Sequence, residues 1–226
     1  MKARTTDLTH SAAFFDVDET LWQLKSMFSF LRYVYVRQAP KTGANAYQLA
    51  MATLLAEAKT GTRAQTNHQY YALYQGWAQA DIVAWAAEWF EEVNQPENYL
   101  EPAFSRLKWH QAQGHQVVLI SGACVEILAP LAQSLAVSAT FGVRLEIDGA
   151  GLYTGLIEGV QTIGPGKAQV LNQYVQQQRL QASACYAYGD HITDVPMLEA
   201  VGHPYVVNAQ EDMLAWASQR GVEVLT

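Results

Sequence analysis

The sequence predicts an α/β fold, a doubly wound Rossmann-like parallel sheet carrying an inserted helical cap and a β-hairpin. Three observations lead there. Short apolar runs at residues 12–17, 116–120 and 185–188 stop at acidic or small polar residues, as strands buried on both faces do. Residues 102–113, ahead of the second run, are helix-like and stop at Gly114, which makes a parallel αβ unit. The stretch between the first two strands, residues 22–95, far exceeds the ~2–6 residues of an ordinary βα connection.

The elements follow in order. Residues 22–98 are rich in Ala, Leu, Gln and Glu, and no proline falls between Lys41 and Gln95. This favours several helices, broken near residues 59–62. The expected division is therefore a core of residues 1–21 and 99–226 with a cap of residues 22–98. Ser121 and Gly122 close the second strand. Val125, Leu128, Leu131 and Leu135 then recur at helical spacing. Residues 141–147 and 152–157, split by Asp148-Gly149-Ala150-Gly151, read as a hairpin. Gly164-Pro165-Gly166-Lys167 opens a helix through Gln178, a strand runs to Asp190, and residues 204–208 form a last short strand before a closing helix.

With 226 residues, half of them hydrophobic, the chain can bury a substantial core. Its net charge is −7 and no stripe of Lys and Arg is present, which argues against a nucleic-acid surface. Cys124 and Cys185 are the only cysteines, so neither a disulfide framework nor a zinc site is indicated. The polar start at residues 1–11 and the lack of a long apolar run predict no signal peptide and no membrane span. The expected compartment is the cytoplasm.

The residues that carry chemistry lie at strand ends. Asp16 and Asp18 point the same way from an extended backbone, so one can attack phosphorus while the other moves the proton. An acidic turn with Thr20 capping the next helix is the alternative reading. A second acidic cluster, Gly189-Asp190-His191-Ile192-Thr193-Asp194, also follows an apolar run. In an open α/β sheet the carboxyl ends of the strands share one crevice. Asp16, Ser121 and Asp190 therefore converge there, and Lys167 joins them from a helix start.

In these residues the chain resembles the haloacid dehalogenase superfamily of phosphohydrolases, subfamily IB, which includes the phosphoserine phosphatases. Residues 16–20 match the first family motif, Ser121-Gly122 the second, Lys167 the third, and Gly189-Asp190 with Asp194 the fourth. The likeness spans residues 12–225, with a C1-type cap between the first two motifs. It implies a phosphomonoesterase in which Asp16 forms an aspartyl-phosphate and Asp18 is the general acid/base. It further implies that Lys167 offsets charge, and that Thr20, Ser121, Gly122 and Thr193 serve the substrate loops. A magnesium ion would be held by the Asp16 and Asp190 side chains and the Asp18 carbonyl, with Asp194 acting through water or by orienting the other ligands. The expected partner is a small-molecule phosphate ester, with no nucleic acid and no membrane.

The same intermediate would serve a phosphotransferase. A phosphoacceptor signalling module combines similar residues, but receivers are about half this length and lack a cap. Phosphoserine phosphatases place a glutamate after the first motif, where this chain reads Leu21-Trp22-Gln23-Leu24-Lys25. A lysine there disfavours an ammonium-bearing substrate, and no cap arginine aligns around Gly61-Thr62-Arg63. One or both of Trp22 and Phe28 are expected to line a leaving-group pocket for a fairly apolar or aromatic alcohol.

Overall fold

The structure is a computed structural model and describes residues 11–226. What the sequence predicts for residues 1–10 lies outside them. A seven-stranded sheet runs in the order β4-β3-β2-β1-β5-β6-β7. The strands are β1 (Ala12–Phe15), β2 (Gln116–Cys124), β3 (Ala139–Ile147), β4 (Tyr153–Glu158), β5 (Tyr186–Gly189), β6 (His203–Val207) and β7 (Glu223–Leu225). Every neighbouring pair is parallel except β3 with β4. The chain lays β2 and β3 on one side of β1, then β5, β6 and β7 on the other. Winding reverses at β1, and the crevice beyond such a reversal is where open sheets bind ligands.

Alternation along β1 separates two cores. Ala12 and Phe14 pack with Val118, Ile120, Leu171, Met197 and Met213, beneath α7 (Pro165–Gln177), α8 (Val195–Leu198) and α9 (Glu211–Arg220). Ala13 and Phe15 face the opposite way, toward Leu107 and Leu128 of α5 (Glu101–Ala112) and α6 (Val125–Ser134). Phe14 and Phe15 are fully buried, each contributing roughly 1.5–3 kcal/mol by its removal from water. That packing fixes the strand whose end carries Asp16.

Four helices occupy the long connection: α1 (Ser26–Gln38), α2 (Gly43–Ala58), α3 (Arg63–Ala72) and α4 (Gln79–Val93). The break before α3 is chemical. Gln65 N–H donates to the Thr62 hydroxyl at 3.2 Å, and Thr62 N–H donates to the Gln65 side chain at 2.8 Å, a reciprocal capping box. Aromatic residues fill the interior of these helices, with Phe30 and Trp22 both edge-on to Trp89. The chain enters and leaves the helices side by side, since Gln23 N–H reaches Asn98 O at 2.8 Å and Leu100 N–H reaches Leu21 O at 3.0 Å.

Three elements differ from expectation. β2 does not close at Ser121-Gly122 but runs to Cys124, its register against β3 shifting between Ile120 and Cys124. Such an irregularity re-aims side chains beside a site. β3 begins at Ala139 and has two roles, parallel to β2 as far as Val143 and antiparallel to β4 from Arg144. The hairpin is thus an extension of the sheet edge. β7 is a three-residue edge strand, too short to leave a periodic signal. No helix among the described residues is long and apolar enough to cross a membrane.

Candidate active site

Asp16 follows β1, and its N–H donates to Tyr188 O at 3.0 Å, so the end of β5 holds the backbone that presents it. Its carboxylate is buried, with Oδ1 2.7 Å from Lys167 Nζ. The same ammonium group lies 2.6 Å from Asp194 Oδ1. Lys167 reaches both from the first turn of α7, and only 4 % of its surface is exposed. Burial works against its charge, but Asp16 and Asp194 more than reverse this and raise its pKa above the ordinary lysine value.

Asp190 stands beyond β5, where the Thr20 hydroxyl donates to its Oδ1 at 2.9 Å. Asp194 is folded back by His191 N–H, which donates to Oδ2 at 3.2 Å. Gly189 makes this possible, since a Cβ there would come within 2.7 Å of the Asp194 side chain. Oxygens of Asp16, Asp190 and Asp194 lie within 4.8 Å of one another. Burial raises the Asp16 carboxyl, Lys167 opposing. Asp190 is pushed up by burial and then by Asp16 and Asp194. Three buried carboxylates against one lysine leave uncompensated negative charge, and an all-oxygen donor set is what magnesium takes. The residues fit that ion.

The loop after Asp16 turns tightly, with the amides of Thr20, Leu21 and Trp22 all donating to Val17 O. Glu19 sits at φ +62°, a conformation that costs a non-glycine residue roughly 1–3 kcal/mol. Burial pushes the Asp18 carboxyl up to about 6, against the Ser26 hydroxyl and the amides of Ser26 and Met27. Asp18 Oδ1 is buried without a hydrogen-bond partner. The Asp18 carboxylate stands outside the group of three converging aspartates.

One cavity of about 240 Å³ opens over these groups. Asp16, Asp18, Lys167, Ser121, Gly122 and Thr193 wall it from the sheet side, while Met27, Phe28, Leu54, Arg63, Asn67 and Tyr70 wall it from α1, α2 and α3. The Ser121 hydroxyl accepts from Ala123 N–H at 3.1 Å, leaving its own proton free to donate into the cavity. Thr20 is not in the wall. It is fully buried behind Asp190, so its hydroxyl serves a carboxylate rather than a substrate.

Of the two aromatic residues expected near the leaving group, Trp22 does not line the cavity. It is fully buried, packed against Trp89, Phe90 and Tyr99, whereas Phe28 does line the cavity. Lys25 lines it too, but paired with Glu19 at 3.1 Å, so it does not face a substrate as a lone cation. Arg63 is the residue that motif alignment misses. Its signal is the Thr62-x-x-Gln65 capping box, which places Arg63 at the first position of α3.

Residues 13–199 match the family model for haloacid dehalogenase-like hydrolases. A Streptomyces azureus protein named for inhibition of morphological differentiation is 31% identical over 96% of this chain and 79% of its own length. A probable phosphatase of Mycobacterium tuberculosis is 30% identical over 98% of this chain and 77% of its own. A phosphoserine phosphatase of that organism is 30% identical over 96% and 71%. Among solved structures, a Bordetella pertussis protein of unknown function superposes with a TM-score of 0.85 at 26% identity, covering 96% of this chain and 99% of that one. A substrate-bound phosphoserine phosphatase gives a TM-score of 0.69 at 16% identity over 95% and 91%, which speaks for the fold. With its motif residues gathered at one sheet end and these relatives matched along nearly its whole length, the chain belongs to the haloacid dehalogenase-like hydrolases, as a phosphatase of the phosphoserine phosphatase-like type.

Proposed function

We propose that this protein is a magnesium-dependent phosphomonoesterase acting on a small organic phosphate through an aspartyl-phosphate on Asp16. The observation that carries the reading is the buried contact of Asp16 with Lys167 at 2.7 Å, beside Asp190 and Asp194, under a cavity sized for a small ester. Lys167 occupies Asp16 Oδ1, which leaves Oδ2 as the attacking atom. That oxygen displaces the ester oxygen from phosphorus while Asp18, protonated, gives its proton to the departing alcohol. Asp18 then takes a proton from water as the water attacks phosphorus. The Asp16–phosphorus bond breaks, phosphate leaves, and both aspartates are restored.

Lys167 and the Ser121 hydroxyl stabilise the phosphoryl oxygens as charge develops. Asp16 and Asp190 side chains and the Asp18 carbonyl would hold the magnesium ion, which when bound supplies charge stabilisation to the transferring phosphoryl group. Asp194 has both oxygens engaged, by Lys167 and by His191 N–H, which supports an orienting role. We take residues 22–98 to act as a cap, the remainder as the catalytic core. The two cysteines are free and buried, in keeping with a reducing cytoplasm.

Among the described residues no carboxylate pairs with Arg63, while Phe28, Met27 and Leu54 offer apolar contact. This favours an alcohol that carries an acidic group on a partly apolar body. The test is a phosphate-release assay over phosphoserine, a phosphorylated hydroxy acid lacking the amine, alkyl phosphates and an aryl phosphate, with and without magnesium. Hydrolysis that needs magnesium and disappears in Asp16→Asn is expected. No turnover of any ester, or turnover surviving in Asp16→Asn, overturns the reading, and phosphate passed to added alcohols would mark a transferase.

A further inference from the structure

We propose that Gln161 and Asn67 form a latch through which α3 positions the Ser121-Gly122 loop, with Gln161 acting as a positioning residue although it lies outside the cavity wall. The proposal rests on the phosphatase reading of that loop. Gln161 belongs to the connection between β4 and α7. Its Nε2 donates to Ala64 O at 2.9 Å and to Asn67 Oδ1 at 2.9 Å, both on α3. Asn67 Nδ2 in turn donates to Gly122 O at 3.1 Å, and the Tyr71 hydroxyl donates to the same carbonyl at 2.9 Å. The neighbouring Thr162 hydroxyl donates to Ser121 O at 2.5 Å. Both carbonyls of the loop are thus pinned by side chains outside β2.

The chemistry of the amide makes the chain directional. Asn67 is 4 % exposed, and a primary amide has one accepting and one donating end. Because both hydrogens on Gln161 Nε2 are donated, Asn67 must turn its oxygen to Gln161 and its nitrogen to Gly122. If Asn67 were flipped, its oxygen would oppose the Gly122 carbonyl and leave a buried acceptor unpaired. The loop also has no room for a side chain at Gly122, where a Cβ would sit 2.9 Å from Ile163. Arg63, Asn67 and Tyr70 share one face of α3 in the cavity wall. The helix that meets the leaving group is therefore the helix that sets the phosphate loop.

The decisive substitution is Gln161→Glu, which keeps the shape but replaces two donors by a carboxylate that can only accept. Asn67 is then drawn to donate toward position 161 and loses Gly122. The expected results are a fall of about tenfold in kcat/KM for every hydrolysed ester, whatever its leaving group, and a similar weakening of inorganic phosphate as a competitive inhibitor. In an Asn67→Ala background most of the effect of Gln161→Glu should vanish, leaving only what the lost donation to Ala64 O contributes. Amide hydrogen exchange over residues 121–124 should quicken, while a peptide from β6 stays unchanged; this readout needs no turnover and separates failure of the latch from failure of the phosphatase reading. Unchanged exchange at residues 121–124 overturns the latch, as does a full effect of Gln161→Glu persisting without Asn67 or an effect confined to some leaving groups.

Discussion

Lys167 Nζ bridges Asp16 Oδ1 at 2.7 Å and Asp194 Oδ1 at 2.6 Å, so the ammonium of α7 ties the end of β1 to the turn after β5. Neither carboxylate is far from the other two buried acids of the site, and the lysine is their only close cation among the described residues. Removing one partner of such a buried set leaves charge uncompensated, at a cost of roughly 3–5 kcal/mol. Lys167→Met is therefore expected to lose that much stability and at least a thousandfold in kcat/KM. Urea unfolding beside a phosphate-release assay reads both, and wild-type stability in the variant would contradict the assigned contact.

Magnesium should bind and stabilise the folded state, because it neutralises carboxylates whose burial and mutual repulsion raise their pKa values. At a hundred times its Kd the gain is ~2.7 kcal/mol. Asp190→Asn should remove most of it. Calorimetric titration of metal-free protein gives the affinity, and thermal melts with and without the ion give the stabilisation. Equal melting temperatures in the two conditions would count against the site.

Asp18 carries a prediction about leaving groups. Its carboxyl, pushed up to about 6 by burial, holds a proton at mildly acidic pH and keeps a protonated fraction at neutrality. An alkoxide needs that proton, whereas an acidic phenol departs without it. Asp18→Asn should lower kcat/KM for alkyl phosphates by 10²–10⁴-fold but reduce phosphorylation by an activated aryl phosphate far less. Comparing burst amplitudes and steady-state rates on the two ester types would reveal the difference, and uniform losses would argue against general acid catalysis.

His110 predicts how stability varies with acid. It is fully buried, with Nε2 2.8 Å from the Tyr188 hydroxyl and Nδ1 2.8 Å from His115 Nδ1. Burial first, then His115 and Arg106, lower its pKa to about 3. Below the unfolded value of about 6.5 the unfolded chain takes up a proton that the folded chain refuses. Stability from this group is complete above pH ~6.5 and falls toward pH ~3, by at most ~1.4 kcal/mol per pH unit. The raised carboxylates have the opposite sign, so the comparison must be between variants. Unfolding free energies between pH 7 and 4.5 should fall less steeply in His110→Gln than in wild type, and parallel curves would be inconsistent with a neutral His110.

Much of the fold was legible because its signals are local. The apolar run ending at Asp16, the Gly114 stop and the turn residues 148–151 each report on a few neighbours, and the strands and helices lie close to where those signals put them. The dual pairing of β3 and the short β7 were not legible, since both depend on which strand lies alongside. Among site residues, the acids at strand ends were readable from spacing.

The sequence by itself determined the chemistry on offer: two aspartates beyond one strand, two more beyond another, a lysine at a helix start and a Ser-Gly pair. Only the tertiary structure decided their partners. It turned Thr20 to Asp190 and away from the cavity, buried Trp22 among Trp89, Phe90 and Tyr99, neutralised Lys25 with Glu19, and brought Arg63 and Asn67 over the site. The physical reason is range. Helix and strand signals act over a few residues, whereas a side chain's neighbours are set by packing between segments far apart in the chain.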